Sequence, residues 1–311
     1  WLRNERIIEL HFFMKKFNST VSNILSPLGW EDYELIDFGY GKKLERFGKY
    51  TFVRPDSQAM AEPIFSKKIW AKADGIFNSS NDKEKGSWKL SNKVPEFWDV
   101  NFNNIKIKTL PTPFRHLGFF PEQSVHWDWC RGLIQKRNKP KVLNLFGYSG
   151  IASLDAALSG AEVTHVDASK KAINLAFENR NRNNLEKLPI RFLVEDAVNF
   201  VKREIRRNNK YDGIILDPPK YGRGPNGEIW RIEEDLLNLM YLIKELLTEN
   251  PLFLVLTSYA IRSSHISLYY LLESSLKFNY GKYSSGELGI EDSSNKKRVL
   301  SCANFARWQC E

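Results

Sequence analysis

The sequence predicts an α/β protein in which a parallel sheet carries helices on its faces and a small β-rich unit precedes it. Three observations lead there. Beyond Arg137, short apolar and β-branched runs alternate with segments of helix length, which is the signature of βα units. Several of those runs close on an acidic residue: Asp167, Asp196 after Glu195, and Asp217 in Asp217-Pro218-Pro219-Lys220. Their side chains therefore gather along the carboxyl edge of one sheet, where open α/β folds bind ligands. Between Tyr33 and about Leu110 the texture differs, with short runs such as Tyr50-Thr51-Phe52-Val53 and Ile105-Lys106-Ile107 separated by Gly, Asn, Asp and Pro turn signals, as in a small β domain.

Taken in order, residues 6 to 25 read as an amphipathic helix weakened by Ser19, Thr20, Ser22 and Asn23, a peripheral element within a segment 1–29. The β-rich domain spans 30–112, and its polar run from Asn78 to Gly86 reads as an exposed loop. Leu110-Pro111-Thr112-Pro113 is a rigid connector, because each proline fixes its own φ and extends its predecessor. The third unit, 113–311, is expected to place strands at 141–146, 162–167, 190–194, 212–217 and 251–257. Helices are expected from about 150, at 169–182, 197–207 and 231–248, and near 264–276. Gly286–Ile290 and Arg298–Cys302 read as a hairpin at the sheet edge, and no internal repeat or heptad pattern occurs.

The 311 residues, 42% of them hydrophobic, suffice for two cores. A net charge of +9 suits a polyanionic partner and equally a basic soluble enzyme. Cys130, Cys302 and Cys310 are too few and too scattered for a disulfide framework or a zinc site, so a reducing cytoplasm is expected. No apolar run is long enough to span a membrane and no signal-peptide pattern opens the chain, although a start at Trp1 fits a fragment.

A glycine-containing turn after the first parallel strand lets a ligand approach backbone and helix amides, the role expected of Gly147 and Gly150. Twenty residues beyond Gly147, Asp167 stands where a carboxylate accepts bonds from ribose hydroxyls; the plain alternative is a tight turn with a helix N-cap. Asp196 reads either as an N-cap or as an acceptor for the amine of an adenine. The double proline after Asp217 makes a rigid acidic loop that suits presentation of a target base.

In combination these residues resemble class I S-adenosylmethionine-dependent methyltransferases, in particular the branch containing the 23S rRNA cytosine-C5 methyltransferases. The resemblance runs from about Leu35 to Trp308. Leu143-Asn144-Leu145-Phe146-Gly147-Tyr148-Ser149-Gly150 looks like the branch's first cofactor motif, with Phe146 and Tyr148 where other methyltransferases carry glycines. Phe119-Phe120-Pro121-Glu122-Gln123 looks like the segment ahead of it. The resemblance implies a Rossmann-like seven-stranded sheet with a reversed last strand, and S-adenosylmethionine as cofactor. Phe120, Gln123, Asn144, Phe146, Gly147, Tyr148, Ser149, Gly150, Asp167, Ala168, Asp196, Ala197 and Asp217 would hold it. Asp217, Pro218, Pro219 and Lys220 would align the acceptor. A nicotinamide dinucleotide is disfavoured, since the crowded turn lacks the Gly-x-Gly-x-x-Gly that a pyrophosphate needs.

One departure bears on chemistry. Methylation of cytosine at C5 requires a cysteine thiolate, yet the stretch after the fifth strand reads Leu256-Thr257-Ser258-Tyr259-Ala260-Ile261-Arg262. Ser258 is a poor substitute, and Cys130 and Cys302 read as buried apolar residues. Direct transfer to an amine or ring nitrogen needs only alignment and a proton sink. Arg115, His116, Tyr221, Arg223 and Tyr259 are the substrate-binding candidates, with Arg115, His116 and Arg223 set against phosphates. Tyr221 either stacks on a base or packs; Lys220 aligns the acceptor, binds phosphate or caps a loop. Lys202, Arg203, Arg206 and Arg207 read as a solvated helix face before an RNA-facing stripe, and His126 as a packed or capping histidine without metal partners. RNA, ribosomal above all, is the expected partner, with no metal and no membrane. A protein or small-molecule methyltransferase, or an inactive RNA-binding member of the fold, are the alternatives.

Overall fold

A computed structural model describes residues 23–79, 86–259 and 263–310. Most of the segment read as an N-terminal helix lies outside these residues. Its end, Asn23–Leu25, is a strand (β1), not a helix. Residues 80–85 of the expected polar loop also lie outside; what flanks them is ordered as strands.

Alternating burial then builds a small sheet from β2 (Tyr33–Gly39), β3 (Lys42–Phe47), β4 (Tyr50–Pro55), β5 (Gly75–Ser79) and β6 (Gly86–Leu90), in that spatial order. A single helical turn, α1 (Lys67–Trp70), connects β4 to β5, which pair in parallel. β7 (Trp98–Phe102) and β8 (Ile105–Thr109) form a separate hairpin that turns at Asn103, φ +50°. Inward residues Phe47, Phe52, Phe102 and Ile107 share one buried cluster with Phe119, Trp127, Ile151 and Leu300. The change of sheet near residue 112 is thus not a gap between cores. The proline connector is itself anchored, as Gly86 N donates to the Pro113 carbonyl (3.2 Å) and Trp88 Nε1 to that of Thr112 (2.7 Å).

The second half follows the expected alternation closely. A 3₁₀ turn at Pro121–Gln123 leads into α2 (Ser124–Ile134), then β9 (Lys141–Leu145), α3 (Ile151–Leu158), β10 (Glu162–Asp167), α4 (Lys170–Arg182), β11 (Ile190–Val194), α5 (Ala197–Arg206) and β12 (Gly213–Leu216). A short hairpin, β13 (Tyr221–Arg223) with β14 (Ile229–Arg231), precedes α6 (Ile232–Leu246), β15 (Phe253–Ser258), α7 (His265–Leu276), β16 (Lys282–Glu291) and β17 (Val299–Gln309). The Rossmann-like sheet has the order β1-β16-β17-β15-β12-β9-β10-β11.

The expected terminal hairpin is present: β16 and β17 pair antiparallel at one side of the sheet, with β17 against β15. One expectation is corrected. The sheet has eight strands instead of seven, because β1 pairs in parallel with β16. That pairing needs Gly286, where a Cβ would fall 1.9 Å from the Asn23 carbonyl oxygen. The chain moves from β9 to β10 and β11 on one side and to β12 and β15 on the other. The resulting crevice at the carboxyl ends of β9 and β12 is where this topology admits a ligand.

Candidate active site

Leu145 ends β9, and the next five residues turn sharply. Phe146 (φ +57°), Tyr148 (+48°) and Gly150 (+80°) all take left-handed backbone angles, which strains a side chain-bearing residue by about 1–2 kcal/mol. Two bulky residues thus occupy a glycine-type loop in its glycine-type conformation. Gly147 donates its amide to the Val166 carbonyl (3.1 Å), and a Cβ there would lie 2.4 Å from the His165 ring. At Gly150 a Cβ would meet Ala176 Cβ at 2.8 Å. The need for glycine at both positions comes from contacts within the protein; Gly150 lines neither cavity of the site, contrary to the ligand-approach role read from sequence. Behind the loop, Asn144 Nδ2 donates to Ser153 Oγ (2.9 Å), which also meets His165 Nδ1 (2.9 Å).

Asp167 faces the crevice while its oxygens accept from Tyr148 N (3.0 Å) and Ser169 N (2.7 Å). Burial pushes its carboxyl above the usual aspartate value. Ser169, not Asp167, caps α4, so the plain N-cap reading of Asp167 does not hold. Asp196 does cap α5, accepting from Asn199 N (2.9 Å), and also lines the crevice, so its two readings coexist. Ala168 and Ala197 lie beside them.

The crevice has a volume of about 760 Å³ and is walled by both sheets. Asp217 sits in its floor, where Gln123 Nε2 donates to it (3.1 Å). Burial, reinforced by nearby Glu122, pushes Asp217 up to about 8. Glu122 is likewise raised by burial and accepts from the Tyr259 hydroxyl (3.0 Å). Near pH 7 the Asp217 carboxyl therefore keeps its proton. Trp230 Nε1 donates to the Pro219 carbonyl (2.7 Å) and its ring lies 5.1 Å from that of Phe146, which ties the double-proline loop to the glycine loop. From the small sheet, Lys43, Arg54 and Asp56 complete the far wall. Arg54 grips Glu45 through Nε (2.7 Å) and Nη2 (2.8 Å), and Lys43 pairs with Asp56 (3.2 Å). An aromatic side is formed by Phe120 against Tyr259 (5.2 Å) and His116 against Tyr148 (5.3 Å).

Asp217 makes a pH prediction. The folded state keeps a proton that the unfolded chain releases near the ordinary aspartate value. This contribution is full at low pH and is lost as pH rises to about 8. Asp217→Asn, which still accepts from Gln123, is expected to raise the melting temperature by about 10 °C at pH 9 and to leave it nearly unchanged near pH 3, where both states hold the proton. Calorimetric scans at the two values check this.

A family model described as "Conserved hypothetical protein 95" matches residues 126–247. The ribosomal RNA large subunit methyltransferase K/L of Pseudoalteromonas atlantica is 33% identical over 164 residues, 52% of this chain and 22% of that protein. Its namesake in Shewanella oneidensis is 30% identical over 181 residues, 56% of this chain and 24% of that one. The chain thus spans about a quarter of the length of these curated relatives. The crystal structure of the SAM-dependent methyltransferase from Agrobacterium tumefaciens is 43% identical, covers 94% of both chains and superposes with a TM-score of 0.89. The chain belongs to the S-adenosylmethionine-dependent methyltransferases.

In this methyltransferase Arg115, Lys220, Tyr221 and Arg223 are exposed at the mouth of the crevice, and Pro218 and Pro219 line it beside Asp217. Tyr221, 49% exposed, is not a packing residue. His116 lines the crevice as well; burial, with Arg54 and Arg115 nearby, pulls it down to about 4, so its ring is neutral at pH 7. Arg203 is paired with Glu195 and Glu204, which fits the solvated-face reading of α5. Lys43, Arg54, Asp56 and Trp230 escaped the sequence reading; only Glu122, inside the Phe119–Gln123 segment, carried a signal.

Cys130 is buried as expected. Cys302 is half-buried and lines the crevice; it donates to the Leu300 carbonyl (3.5 Å), and burial of its sulfur, with Glu122 nearby, pushes the thiol well up. A protonated thiol is a poor nucleophile. Cys302→Ala is expected to keep the methyl-transfer rate within about threefold of wild type, because a thiol raised by burial is poorly suited to covalent catalysis; a loss of a hundredfold or more in single-turnover assays contradicts it. Among the described residues no three His, Cys, Asp or Glu side chains are grouped to hold a metal, and no helix is long and apolar enough to cross a membrane.

Proposed function

We propose that this methyltransferase modifies a base nitrogen of RNA, ribosomal RNA in particular, by direct transfer. The observation that carries this reading is the acceptor end of the crevice, where Asp217, held by Gln123 Nε2 (3.1 Å), lies beside Pro218 and Pro219, with burial raising both its carboxyl and the thiol of Cys302 in the same lining. Such a floor suits a flat, uncharged heterocycle whose nitrogen already has a lone pair. The relatives named as ribosomal RNA methyltransferases and the +9 charge support the choice of acceptor.

The residues fit the cofactor. Asp167 would offer acceptors to ribose hydroxyls, Asp196 and Ala197 would border the adenine, and Phe120, Gln123, Asn144, Phe146, Gly147, Tyr148 and Ser149, which line the two cavities, would hold the remainder. S-adenosylmethionine, when bound, supplies an electrophilic methyl group on a sulfonium. The chain orients the acceptor. Trp230 fixes the Pro219 carbonyl, Gln123 fixes Asp217, and the Pro218 and Asp217 oxygens would accept from an acceptor amine, whose proton leaves the methylated, positively charged nitrogen for solvent as the product departs. Tyr221 stacks on the base while Arg115, Lys220 and Arg223 meet phosphates at the rim. Burial of the floor excludes water from the transfer.

The test is labelled methyl transfer into an extract of cells lacking this protein. Label that ribonuclease removes and protease leaves supports the reading; label that protease removes overturns it.

A further inference from the structure

A strap of residues 112–117 links the small sheet to the second half of the chain, and its Phe114, Arg115 and His116 line the mouth of the crevice. Its backbone is pinned at several points. Trp88 and Gly86 donate to the Thr112 and Pro113 carbonyls, and the buried Arg54 donates through Nη1 to the Arg115 carbonyl (2.9 Å). Within the strap, Thr112 Oγ1 accepts from Phe114 N (3.2 Å). Phe114 is nonetheless 42% exposed, and its ring is stacked on that of His116, 10° apart in plane at 5.8 Å. A single exposed phenylalanine needs no explanation. This one has a fixed backbone, a second ring behind it and a place on the rim of a binding crevice, so it presents a flat apolar face to whatever enters.

That face begins a series of rings. His116 lies 5.5 Å from Phe120, and Phe120 lies 5.2 Å from Tyr259, so rings continue along the crevice wall. A second rim of similar composition comes from the β13–β14 hairpin, which buries Trp230 and leaves Tyr221 and Arg223 exposed beside Lys220. Each rim thus sets an exposed ring near an exposed cation. Arg115, Lys220 and Arg223 form no ion pair with another described residue, which leaves their charge for an anion. Aromatic faces interleaved with unpaired cations match a strand of unstacked bases joined by phosphates. A continuous duplex matches them poorly, because its bases stack on one another and cover their faces.

We propose that the mouth of the crevice takes a single-stranded segment of RNA and that Phe114 is the platform on which the base next to the target stacks. This rests on the RNA reading above and adds the strandedness of the substrate. Asp217 lies in the floor, so a target base reaches it only by leaving its stack, and the neighbouring base then loses a stacking partner. Phe114 replaces that partner, while Arg115 meets the adjoining phosphate. Every base has a π face, so the platform holds the strand without selecting its sequence.

Fluorescence anisotropy tests this with a labelled, unstructured RNA of about twelve nucleotides and with the same strand annealed to its complement. The wild type is expected to bind the single strand about tenfold or more tighter than the duplex. Phe114→Ala is expected to weaken the single strand about tenfold, to change the duplex by less than about twofold, and to leave calorimetric S-adenosylhomocysteine affinity unchanged. Phe114→Trp, which keeps a ring, restores the binding. Arg115→Gln weakens both RNAs alike and flattens their salt dependence. Equal wild-type affinity for the two RNAs, or a Phe114→Ala variant that loses nothing or loses equally on both, overturns the platform and leaves base methylation standing. A wild-type protein that binds neither these RNAs nor total ribosomal RNA overturns the RNA reading with it.

Discussion

Asp167→Ala is expected to lower S-adenosylmethionine affinity at least a hundredfold. Two of the roughly four acceptor positions of the carboxylate are taken by Tyr148 N and Ser169 N, which leaves the others for the crevice it lines. Hydrogen bonds to a charged group contribute about 1.5–3 kcal/mol each. Two lost from a pair of hydroxyls amount to about 3 kcal/mol or more, and each 1.4 kcal/mol is a factor of ten. The same truncation removes the acceptor of the Tyr148 amide, a residue in a left-handed conformation (φ +48°). Asp167→Asn keeps one oxygen for the Tyr148 amide and should lose about tenfold. Calorimetric affinity equal to wild type in Asp167→Ala contradicts the site.

Arg298→Met should produce the largest loss of stability, about 3 kcal/mol. The guanidinium donates to Asp37 (2.7 Å), Asp292 (2.8 Å) and the Glu62 carbonyl (2.8 Å), and lies over the Phe38 ring at 4.2 Å. It joins the β16–β17 turn to the small sheet and so holds the two walls of the crevice together. Both aspartate side chains are fully buried, whereas the arginine is 20% exposed. Removing one partner of a buried pair typically destabilises by about 3–5 kcal/mol, and partial solvent access puts this case at the low end. Arg298→Lys retains the charge without the fork and should recover part of the loss. Urea unfolding checks it, with a lowered midpoint and an unchanged slope expected.

The parallel strands were legible because burial on both faces writes them as near-continuous apolar runs, such as Gly213–Leu216 and the first four residues of Phe253–Ser258. The aspartates at their ends were legible for the same reason, since the edge of the run marks the edge of the sheet. β1 was not, because three residues have no period and Asn23–Leu25 is a strand only through its long-range pairing with β16. The short β13–β14 hairpin was missed likewise, and Trp230 with it. Lys43 stands in the mostly charged β3, and Arg54 at the end of β4 before Pro55, positions that read as solvated. Only the docking of the small sheet over the crevice turns them inward. His116 shows the converse limit: its position at the site was readable, but its neutrality depends on burial and on two nearby arginines that only the fold brings together.

Nucleoside mass spectrometry on ribosomal RNA from cells lacking the protein, after incubation with the enzyme and isotopically labelled S-adenosylmethionine, tests the central claim most directly. A single nucleoside labelled on a base nitrogen, formed by the Cys302→Ala variant as well, is the predicted result. Labelled 5-methylcytidine, or RNA without label beside labelled protein, would contradict it.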